Sequence, residues 1–360
     1  MTAAAVTVFK GACFNSYGAQ EAPKLTICVG DIHGHYVRLV NLWKRLEAKA
    51  GEDFATCTVI FLGDFNDRGP RTKDVIEWLI HLPERYPQQK HVFLAGNHDF
   101  SFASFIGALP RFEPPAGFKF SETWRGAEKD EEREGWWKGD DMENVHLQGR
   151  RWAGKIKDRI SKKGRPYDES TYDAGATFRS YGAEFGNREA LIAAVPESHK
   201  EFLRNLSWIY EAPGVDTGDA ATSYSRLIAV HAGFDKDRPL AEQIEELRRR
   251  QPVASRYEAL SGRKNVWDNP EELERDNVLV VSGHHGVLDT SRRLRLIIDE
   301  AGGLDAPIAA MLLPSREIIR DTDPLPLSEE VVPEMAEVAE ASAMAQEESA
   351  FELEPVAAAC

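Results

Sequence analysis

The chain has 360 residues, of which 42% are apolar, 29% charged and 9% aromatic. This composition is typical of a globular protein and excludes collagen-like, disulfide-scaffold and fully disordered classes. The net charge of −15 comes mostly from residues 321–360, which carry 11 acidic side chains and no Lys or Arg. The other residues hold 48 acidic and 44 basic side chains, which gives them a net charge of −4. Nucleic acid is therefore not an expected partner.

The first 110 residues alternate short apolar runs with helical patterns. In chain order they predict a strand, a helix, a strand, a helix, a strand and a helix at 24–29, 35–49, 58–62, 73–82, 91–95 and 100–109. This alternation favours a parallel sheet with helices on its faces, and thus an α/β fold. Further strands are predicted at 226–230, 278–282, 294–299 and 308–313. We expect the last two to form a hairpin at the end of a second sheet.

Residues 110–190 interrupt this alternation, because they are rich in glycine, charged residues and tryptophan. We interpret them as a partly helical insertion over one end of the sheet. The predicted organisation is an N-terminal extension at 1–23, one α/β domain at 24–320 and an acidic, disordered tail at 321–360.

The four cysteines are far apart in sequence, and none forms a Cys-x-x-Cys pair: they are Cys13, Cys28, Cys57 and Cys360. This favours reduced thiols and a cytoplasmic location, with the nucleus as a second possibility. The chain also lacks an apolar run long enough to cross a membrane, and its start does not resemble a secretory signal. A thiolate phosphatase, which needs an arginine six residues after its cysteine, is excluded, since those positions hold Ala19, Gly34 and Gly63.

Each of the first three predicted strands ends in a polar cluster. The clusters are Gly-Asp-Ile-His-Gly at 30–34, Gly-Asp-Phe-Asn-Asp-Arg-Gly at 63–69 and Gly-Asn-His-Asp at 96–99. Two later strands end in the same way, at 230–233 and 282–286. Since ligands bind at the carboxyl ends of strands in open α/β sheets, these clusters should converge on one crevice.

These clusters offer carboxylate oxygens, an amide oxygen and imidazole nitrogens: Asp31, Asp64, Asn97, His33, His231 and His284. That mixture suits two octahedral divalent ions better than one structural zinc. Asp64, in the middle cluster, is the candidate bridging ligand. Two ions about 3.5–4 Å apart would activate a shared hydroxide and polarise a phosphoryl group. One Gly-Asp pair would be ordinary turn chemistry, but three clusters in order are a motif.

The three clusters resemble the signature of the calcineurin-like metallophosphoesterases, and Asp-Arg-Gly at 67–69 is similar to that of the phosphoprotein phosphatase family. The resemblance covers about 24–320. Four stretches look closer to one branch, the bacterial-like Rhizobiales-like phosphatases of plants and other eukaryotes: 66–70, 91–100, 147–154 and 261–268. It implies a metallophosphoesterase β-sandwich flanked by helices, with the insertion over the active-site end. It also implies a protein tyrosine phosphatase.

The resemblance assigns the metal ligands in two sets that share Asp64. Asp31 and His33 bind the first ion, and Asn97, His231 and His284 bind the second. Mn is the first choice of metal, with Fe, Zn and Mg as alternatives.

The resemblance also implies the groups that handle the phosphate. His98 is the general acid, Asp67 holds it, and Arg68 clamps the phosphate oxygens. Arg263 is our choice for a second phosphate-binding arginine, although a surface role for it is equally plausible. A metal-binding histidine of many relatives is replaced here by Gly286, so we prefer His284 as the ligand and keep its neighbour His285 in reserve.

Residues 150–165 contain eight basic side chains and one acid, Asp158. A solvated helix face is the simpler interpretation. Alternatively, Arg150, Arg151 and Lys155 form a second anion site beside the metals. The enzyme would then favour a phosphoprotein phosphorylated on both Thr and Tyr, as in a MAP-kinase-type activation loop.

Three other functions remain open at this point. The chain could hydrolyse a dinucleoside polyphosphate or another small phosphoester, it could be a Ser/Thr protein phosphatase, or it could be a phosphoprotein-binding scaffold that has lost catalysis. The complete ligand set with His98 and Asp67 argues against the scaffold.

Overall fold

The ten strands of the described residues form two five-stranded sheets. The computed structural model describes residues 24–325, except for 125, 158–159, 161–163, 301–303 and 305. From edge to edge, the first sheet contains Glu317–Arg320 (β10), Ala309–Leu313 (β9), Thr26–Val29 (β1), Thr58–Phe61 (β2) and Lys90–Phe93 (β3). The second contains Tyr210–Val215 (β4), Tyr224–Ala229 (β5), Val278–Ser282 (β6), Arg295–Ile298 (β8) and Leu288–Asp289 (β7).

Both sheets are mixed. In the first, β1, β2 and β3 are parallel, whereas β9 is antiparallel to β1 and to β10. In the second, β5, β6 and β8 are parallel, whereas the edge strands β4 and β7 are antiparallel to their neighbours. The parallel strands therefore direct their carboxyl ends toward one edge of each sheet.

Helices cover the outer faces of the sheets and fill most connections. The α-helices of the described residues are Tyr36–Ala50 (α1), Thr72–Ile80 (α2), Leu82–Arg85 (α3), Asn97–Ile106 (α4), Glu128–Glu134 (α5), Leu147–Trp152 (α6), Gly175–Ser180 (α7), Arg188–Ala194 (α8), Glu197–Asn205 (α9), Leu240–Arg249 (α10), Glu258–Ser261 (α11) and Glu271–Arg275 (α12). Short 3₁₀ helices lie at Gly51–Thr56, Phe120–Glu122, Met142–Asn144 and Lys264–Val266. No helix among the described residues is long and apolar enough to cross a membrane.

The alternation of side chains along β1 explains how the layers pack. Ile27 and Val29 belong to the core shared with the helices, whereas Cys28 belongs to the core between the sheets. Cys28 packs there with residues of both sheets, such as Ile60 and Leu279. Strand β1 is thus buried on both faces, as expected for a parallel strand covered on two sides. The predicted α/β architecture, two sheets flanked by helices, is confirmed.

The predicted hairpin of 294–299 and 308–313 is wrong. The first run is β8, which pairs with β6 and β7 in the second sheet, whereas the second run is β9, which pairs with β1 and β10 in the first. Both runs are buried on both faces, so their hydrophobicity does not indicate their partners. The missed strand β4 contains Pro213 and Gly214 and lies at a sheet edge, where proline is tolerated.

The segment 110–190 contributes α5, α6, α7 and the start of α8. Helix α6 packs directly on α4: a side chain at Gly149 would place its Cβ 2.7 Å from the backbone nitrogen of Phe105. Only glycine allows this approach. As a result, the insertion is attached to the helix that starts at the end of β3.

The predicted domain boundaries remain predictions, because 1–23 and 326–360 lie outside the described residues. The chain divides into the units Met1–Asp323 and Pro324–Cys360. Asp321, the first residue of the predicted tail, is buried and accepts hydrogen bonds from Arg38 Nε (3.2 Å) and from the Ile308 amide (2.7 Å).

His146, which precedes α6, makes the fold sensitive to acid. Its Nδ1 accepts from the Gln148 amide (3.1 Å) and its Nε2 lies 3.0 Å from the Ala254 carbonyl. Burial lowers the pKa of His146 to about 4, whereas an unfolded histidine has a pKa of about 6.5. Between these values the unfolded chain binds the proton and the folded chain does not, so stability falls as the pH falls from about 6.5 to about 4.

We expect this one histidine to account for about 3 kcal/mol of the loss. Urea unfolding at several pH values measures it, with His146→Asn as the comparison because asparagine retains a helix-capping side chain. The variant should lose less stability than the wild type over the same pH range. Equal losses in the two proteins would contradict the prediction.

Candidate active site

The polar clusters at the strand ends meet around the carboxylate of Asp64, which follows β2. Its Oδ2 atom lies 3.3 Å from His231 Nε2 and 3.5 Å from His33 Nε2. The same oxygen is 4.0 Å from His98 Nε2. These histidines come from the ends of β5, β1 and β3, so Asp64 occupies the centre of the crevice, as a bridging ligand requires.

Asp31 and His284 close one side of the crevice. The His284 amide donates to both carboxylate oxygens of Asp31, at 3.1 and 3.2 Å. Asp31 Oδ2 is 3.8 Å from His33 Nε2, and the His284 ring lies 5.0 Å from that of His231. Asn97 is the first residue of α4, directly before His98.

The donor atoms of these side chains are suited to divalent ions. His33 Nε2, His231 Nε2, His284 Nε2 and Asn97 Oδ1 are all buried without a hydrogen-bond partner among the described residues. In two of these histidines the opposite nitrogen, Nδ1, donates to a backbone carbonyl: His33 to Asn66 (2.9 Å) and His231 to Leu62 (2.6 Å). That leaves a lone pair on Nε2 for a metal.

Two groups of possible ligands share Asp64. One comprises Asp64, His231 and His284, and the other Asp64, His33 and His98; within each group the donor atoms lie within 4.8 Å of one another. The second group contains His98 in place of Asp31. However, both ring nitrogens of His98 already have protein partners, described below, so Asp31 is the better ligand.

The charges of the crevice also favour bound cations. Burial lowers the pKa of His33 and of His284 well below the usual value, so both are neutral. Burial and the nearby Asp299 raise the pKa of Asp31 well above its usual value. Burial would lower the pKa of His231 too, but Asp64 and Asp31 outweigh it and raise that pKa to about 10. A divalent cation would satisfy both carboxylates in place of that proton.

Asp99 and Gly96 orient Asp64, and the sequence analysis assigned neither of them a role. Asp99 accepts hydrogen bonds from the amides of Asp64 (2.6 Å), Phe65 (2.8 Å) and Gly96 (2.8 Å). A Cβ at Gly96 would lie 2.0 Å from Asp64 Oδ1. Both residues belong to the Gly-Asn-His-Asp cluster at 96–99.

Five site residues have left-handed backbone conformations, which are uncommon outside glycine and concentrate at functional sites. They are His33, Asp64, Asp67, Arg68 and His284, with φ between 48° and 72°.

His98 and Asp67 form a buried pair. His98 Nδ1 is 2.7 Å from Asp67 Oδ2, and His98 Nε2 is 3.3 Å from Arg68 Nη2. The His98 ring also lies between the rings of His33 and Tyr172, with centroids 4.6 and 4.9 Å away. The structure therefore brings together the three residues that we expected to handle the phosphate.

The insertion supplies side chains that the sequence analysis missed. Trp152 Nε1 donates to Asp67 Oδ2 (2.8 Å), and Thr177 Oγ1 donates to Asp67 Oδ1 (2.7 Å). Tyr172, beside His98, donates its hydroxyl to Gln148 Oε1 (3.0 Å). The resemblance of 147–154 to a known branch covers Trp152, whereas Tyr172 and Thr177 lie outside the four stretches with that resemblance.

Arg263 and His285 lie beside the metal-ligand loop after β6. Arg263 Nη1 donates to the His284 carbonyl (2.7 Å), and its charge interacts with those of Asp64 and Arg68. His285 Nε2 lies 2.8 Å from the Ala232 carbonyl, and its ring packs against Trp267. Arg263 is thus near the crevice, whereas His285 is engaged with the backbone.

The three residues predicted for a second anion site each lie beside a carboxylate. Arg150 is buried, donates Nε to the Trp137 carbonyl (3.1 Å) and pairs with Glu131. Arg151 makes two hydrogen bonds to Glu134, at 2.6 and 3.0 Å. Lys155 lies 3.4 Å from Glu169. Each cation has a carboxylate partner, so these residues do not support a preference for doubly phosphorylated substrates.

Comparison with known proteins agrees with this geometry. A family model described as calcineurin-like phosphoesterase matches residues 25–306. The uncharacterized protein F44B9.9 of Caenorhabditis elegans is 38% identical over 93 residues, which span 24% of this chain and 36% of the worm protein.

Two solved structures are similar at low identity. A provisionally assigned diadenosine tetraphosphatase is 16% identical with a TM-score of 0.43, covering 84% of this chain and 95% of its own. The cold-active protein tyrosine phosphatase of a psychrophilic Shewanella species is 14% identical with a TM-score of 0.42, covering 83% of this chain and 78% of its own. Neither likeness carries an argument about substrate.

Proposed function

The chain belongs to the calcineurin-like phosphoesterase family, and we propose that it is a metal-dependent phosphoesterase whose substrate is phosphotyrosine in proteins. The observation that carries this proposal is the burial of the side chains that would surround the phosphate. Asp64 is 2% exposed, His98 is 4% exposed and His231 is fully buried. Because the phosphate of phosphotyrosine extends farther from the peptide backbone than that of phosphoserine, a recessed site favours tyrosine.

Asp31, His33, Asp64, Asn97, His231 and His284 would hold two divalent ions, for which we propose manganese. Bound there, the ions supply Lewis acidity toward the phosphoryl oxygens and lower the pKa of the attacking water. The ligand set of carboxylates, amide and imidazoles is compatible with manganese, iron, zinc or magnesium.

The protein's own groups would act on the opposite side of the phosphorus. The attacking water gives up one proton to solvent; when its oxygen bonds to phosphorus, the bond from phosphorus to the phenolic oxygen breaks, and the electron pair of that bond goes to the phenolic oxygen. For this, Arg68 Nη2, which lies 3.3 Å from His98 Nε2, would turn to the phosphate, and the Nε2 atom of protonated His98 would donate its proton to the leaving phenolate. Asp67, 2.7 Å from Nδ1, would hold the ring and stabilise its charge. Arg68 would bind two phosphate oxygens, and Arg263 a third.

A substrate panel tests the proposal. The metal-loaded protein is assayed on matched peptides carrying phosphotyrosine, phosphoserine or phosphothreonine, on a doubly phosphorylated peptide of the MAP-kinase activation-loop type, and on a dinucleoside tetraphosphate. We expect kcat/KM to be highest for phosphotyrosine peptides. A higher value for the dinucleotide or for phosphoserine would overturn the assignment, and metal-loaded protein without any turnover would point to a binding protein.

A further inference from the structure

We propose that Trp152 and Thr177, both from the insertion, are positioning residues that set the orientation of the Asp67–His98 pair. This rests on the proposed function, in which His98 is the general acid. The insertion is then a structural part of the proton-donating apparatus, in addition to any role in covering the crevice.

The hydrogen bonds of Asp67 are the first argument. Its carboxylate is fully buried and receives three donors: His98 Nδ1 at 2.7 Å and Trp152 Nε1 at 2.8 Å on Oδ2, and Thr177 Oγ1 at 2.7 Å on Oδ1. A buried carboxylate needs such donors to remain charged. Two of the three come from the insertion.

Thr177 fixes the backbone of Asp67 as well as its side chain. The Asp67 amide donates to Thr177 Oγ1 (2.9 Å), and Asp67 has φ of 70°. Since the one hydroxyl proton of Thr177 goes to Asp67, Thr72 Oγ1, 3.1 Å away, must donate to Thr177. Thr177 thus binds both the amide and the carboxylate of Asp67, a residue with a strained backbone conformation.

Trp152 is itself held rigidly. It is fully buried and lies between Phe102 and Phe178, whose ring centroids are both 5.2 Å from its own. These ring contacts restrain the indole while its Nε1 donates to Asp67 Oδ2. Because Trp152 and His98 both donate to Asp67 Oδ2, the orientation of the carboxylate is coupled to that of the His98 ring. The other ring nitrogen, His98 Nε2, lies 4.0 Å from Asp64 Oδ2 in the crevice.

A simpler interpretation is that Trp152 is only a core residue. Trp136 provides a matched control, because it is also buried in the insertion and donates Nε1 to a carboxylate, Glu134 Oε2 at 2.9 Å. Changing either tryptophan to phenylalanine removes an indole donor and some volume. The Trp152 bond ends on the carboxylate that also binds His98, whereas the Trp136 bond ends on Glu134, which pairs with Arg151.

The experiment compares Trp152→Phe and Thr177→Val with the controls Trp136→Phe and Thr177→Ser, the last of which retains a hydroxyl. For each metal-loaded protein, kcat and KM are measured on phenyl phosphate, which has a poor leaving group, and on p-nitrophenyl phosphate, which has a good one. We expect kcat on phenyl phosphate to fall roughly tenfold or more in the two test variants, the effect of losing a hydrogen bond to a charged group. KM, metal content and kcat on p-nitrophenyl phosphate should change little, and both controls should resemble the wild type.

Equal losses on the two substrates, or equal losses in Trp136→Phe, would overturn the proposal in favour of a general role in stability. If Trp152→Phe does not fold, the comparison of Thr177→Val with Thr177→Ser tests the proposal. Absence of any difference between those two variants would also overturn it.

A measurement without turnover separates this inference from the proposed function. In the metal-free protein, the indole N–H resonance of Trp152 should move when Asp67 is changed to Ala, whereas that of Trp136 should not. A protein that hydrolyses no phosphate monoester but shows this shift refutes the proposed function and leaves the hydrogen-bonded assembly in place. An unmoved Trp152 resonance refutes the assembly, whatever the activity.

Discussion

Asp64→Asn should reduce phosphoesterase activity almost to nothing and also lower the metal content of the purified protein. Asp64 Oδ2 lies within 3.5 Å of histidines from two different strand ends, so one carboxylate would serve both ions. Asparagine keeps the shape but loses the charge, which leaves a bridging position without an anion. Metal analysis of the protein and kcat on p-nitrophenyl phosphate measure the two effects.

Asp289→Asn is a suitable control for this substitution. Asp289 is on the short strand β7, where its carboxylate accepts from Ser291, and it takes no part in the crevice. The control should retain wild-type activity and metal. An Asp64→Asn protein that keeps two ions and half of the wild-type turnover would disprove the bridging assignment.

His98→Asn should lower kcat by roughly 10²–10⁴-fold, the usual contribution of a general acid, while the metal content stays unchanged. Both ring nitrogens of His98 have protein partners, Asp67 and Arg68, so its removal takes no ligand from the ions. The loss should be smaller for p-nitrophenyl phosphate than for phenyl phosphate, because a good leaving group needs less protonation. Rates for both substrates, with the metal content, test this.

His81, which directly follows α2 and has a side chain that is 41% exposed, provides the matched control. His81→Asn should have wild-type kinetics on both substrates. An equal loss for good and poor leaving groups in His98→Asn would argue against the acid role, and a loss of metal would instead indicate that His98 is a ligand.

The metal-binding side of the crevice could be predicted from the sequence because its residues follow strands. Asp31, Asp64 and Asn97 come directly after three apolar runs that alternate with helices, and parallel neighbours place their carboxyl ends at one edge. The local order of polar residues therefore specifies which side chains meet. The same reasoning extends to His231 and His284, since β5 and β6 are also parallel.

The pairing of the later strands could not be predicted in this way. The runs at 294–299 and 308–313 have similar hydrophobicity, yet they enter different sheets. A strand buried on both faces has no polar side to indicate its neighbours. Which sheet it joins depends on the connections and on packing across the whole domain.

The ion pairs of the insertion could not be predicted from the local sequence either. Its eight basic residues at 150–165 suggested an anion site, because the count of charges considered only that stretch. In the folded chain, Arg150 pairs with Glu131 and Arg151 pairs with Glu134. Both glutamates belong to α5, which precedes the counted stretch. Ion pairing depends on distance in space, which a local charge count does not measure.

The sequence by itself thus determined the α/β class and the cluster of ligands after the strands, because both follow from local periodicity and from the geometry of parallel strands. Only the tertiary structure decided how the acid pair is held. Trp152 and Thr177 lie 85 and 110 residues from Asp67, and no sequence motif links either of them to it. They reach its carboxylate because α6 packs on α4 without a side chain at Gly149 and because a buried charge requires donors from whichever elements surround it.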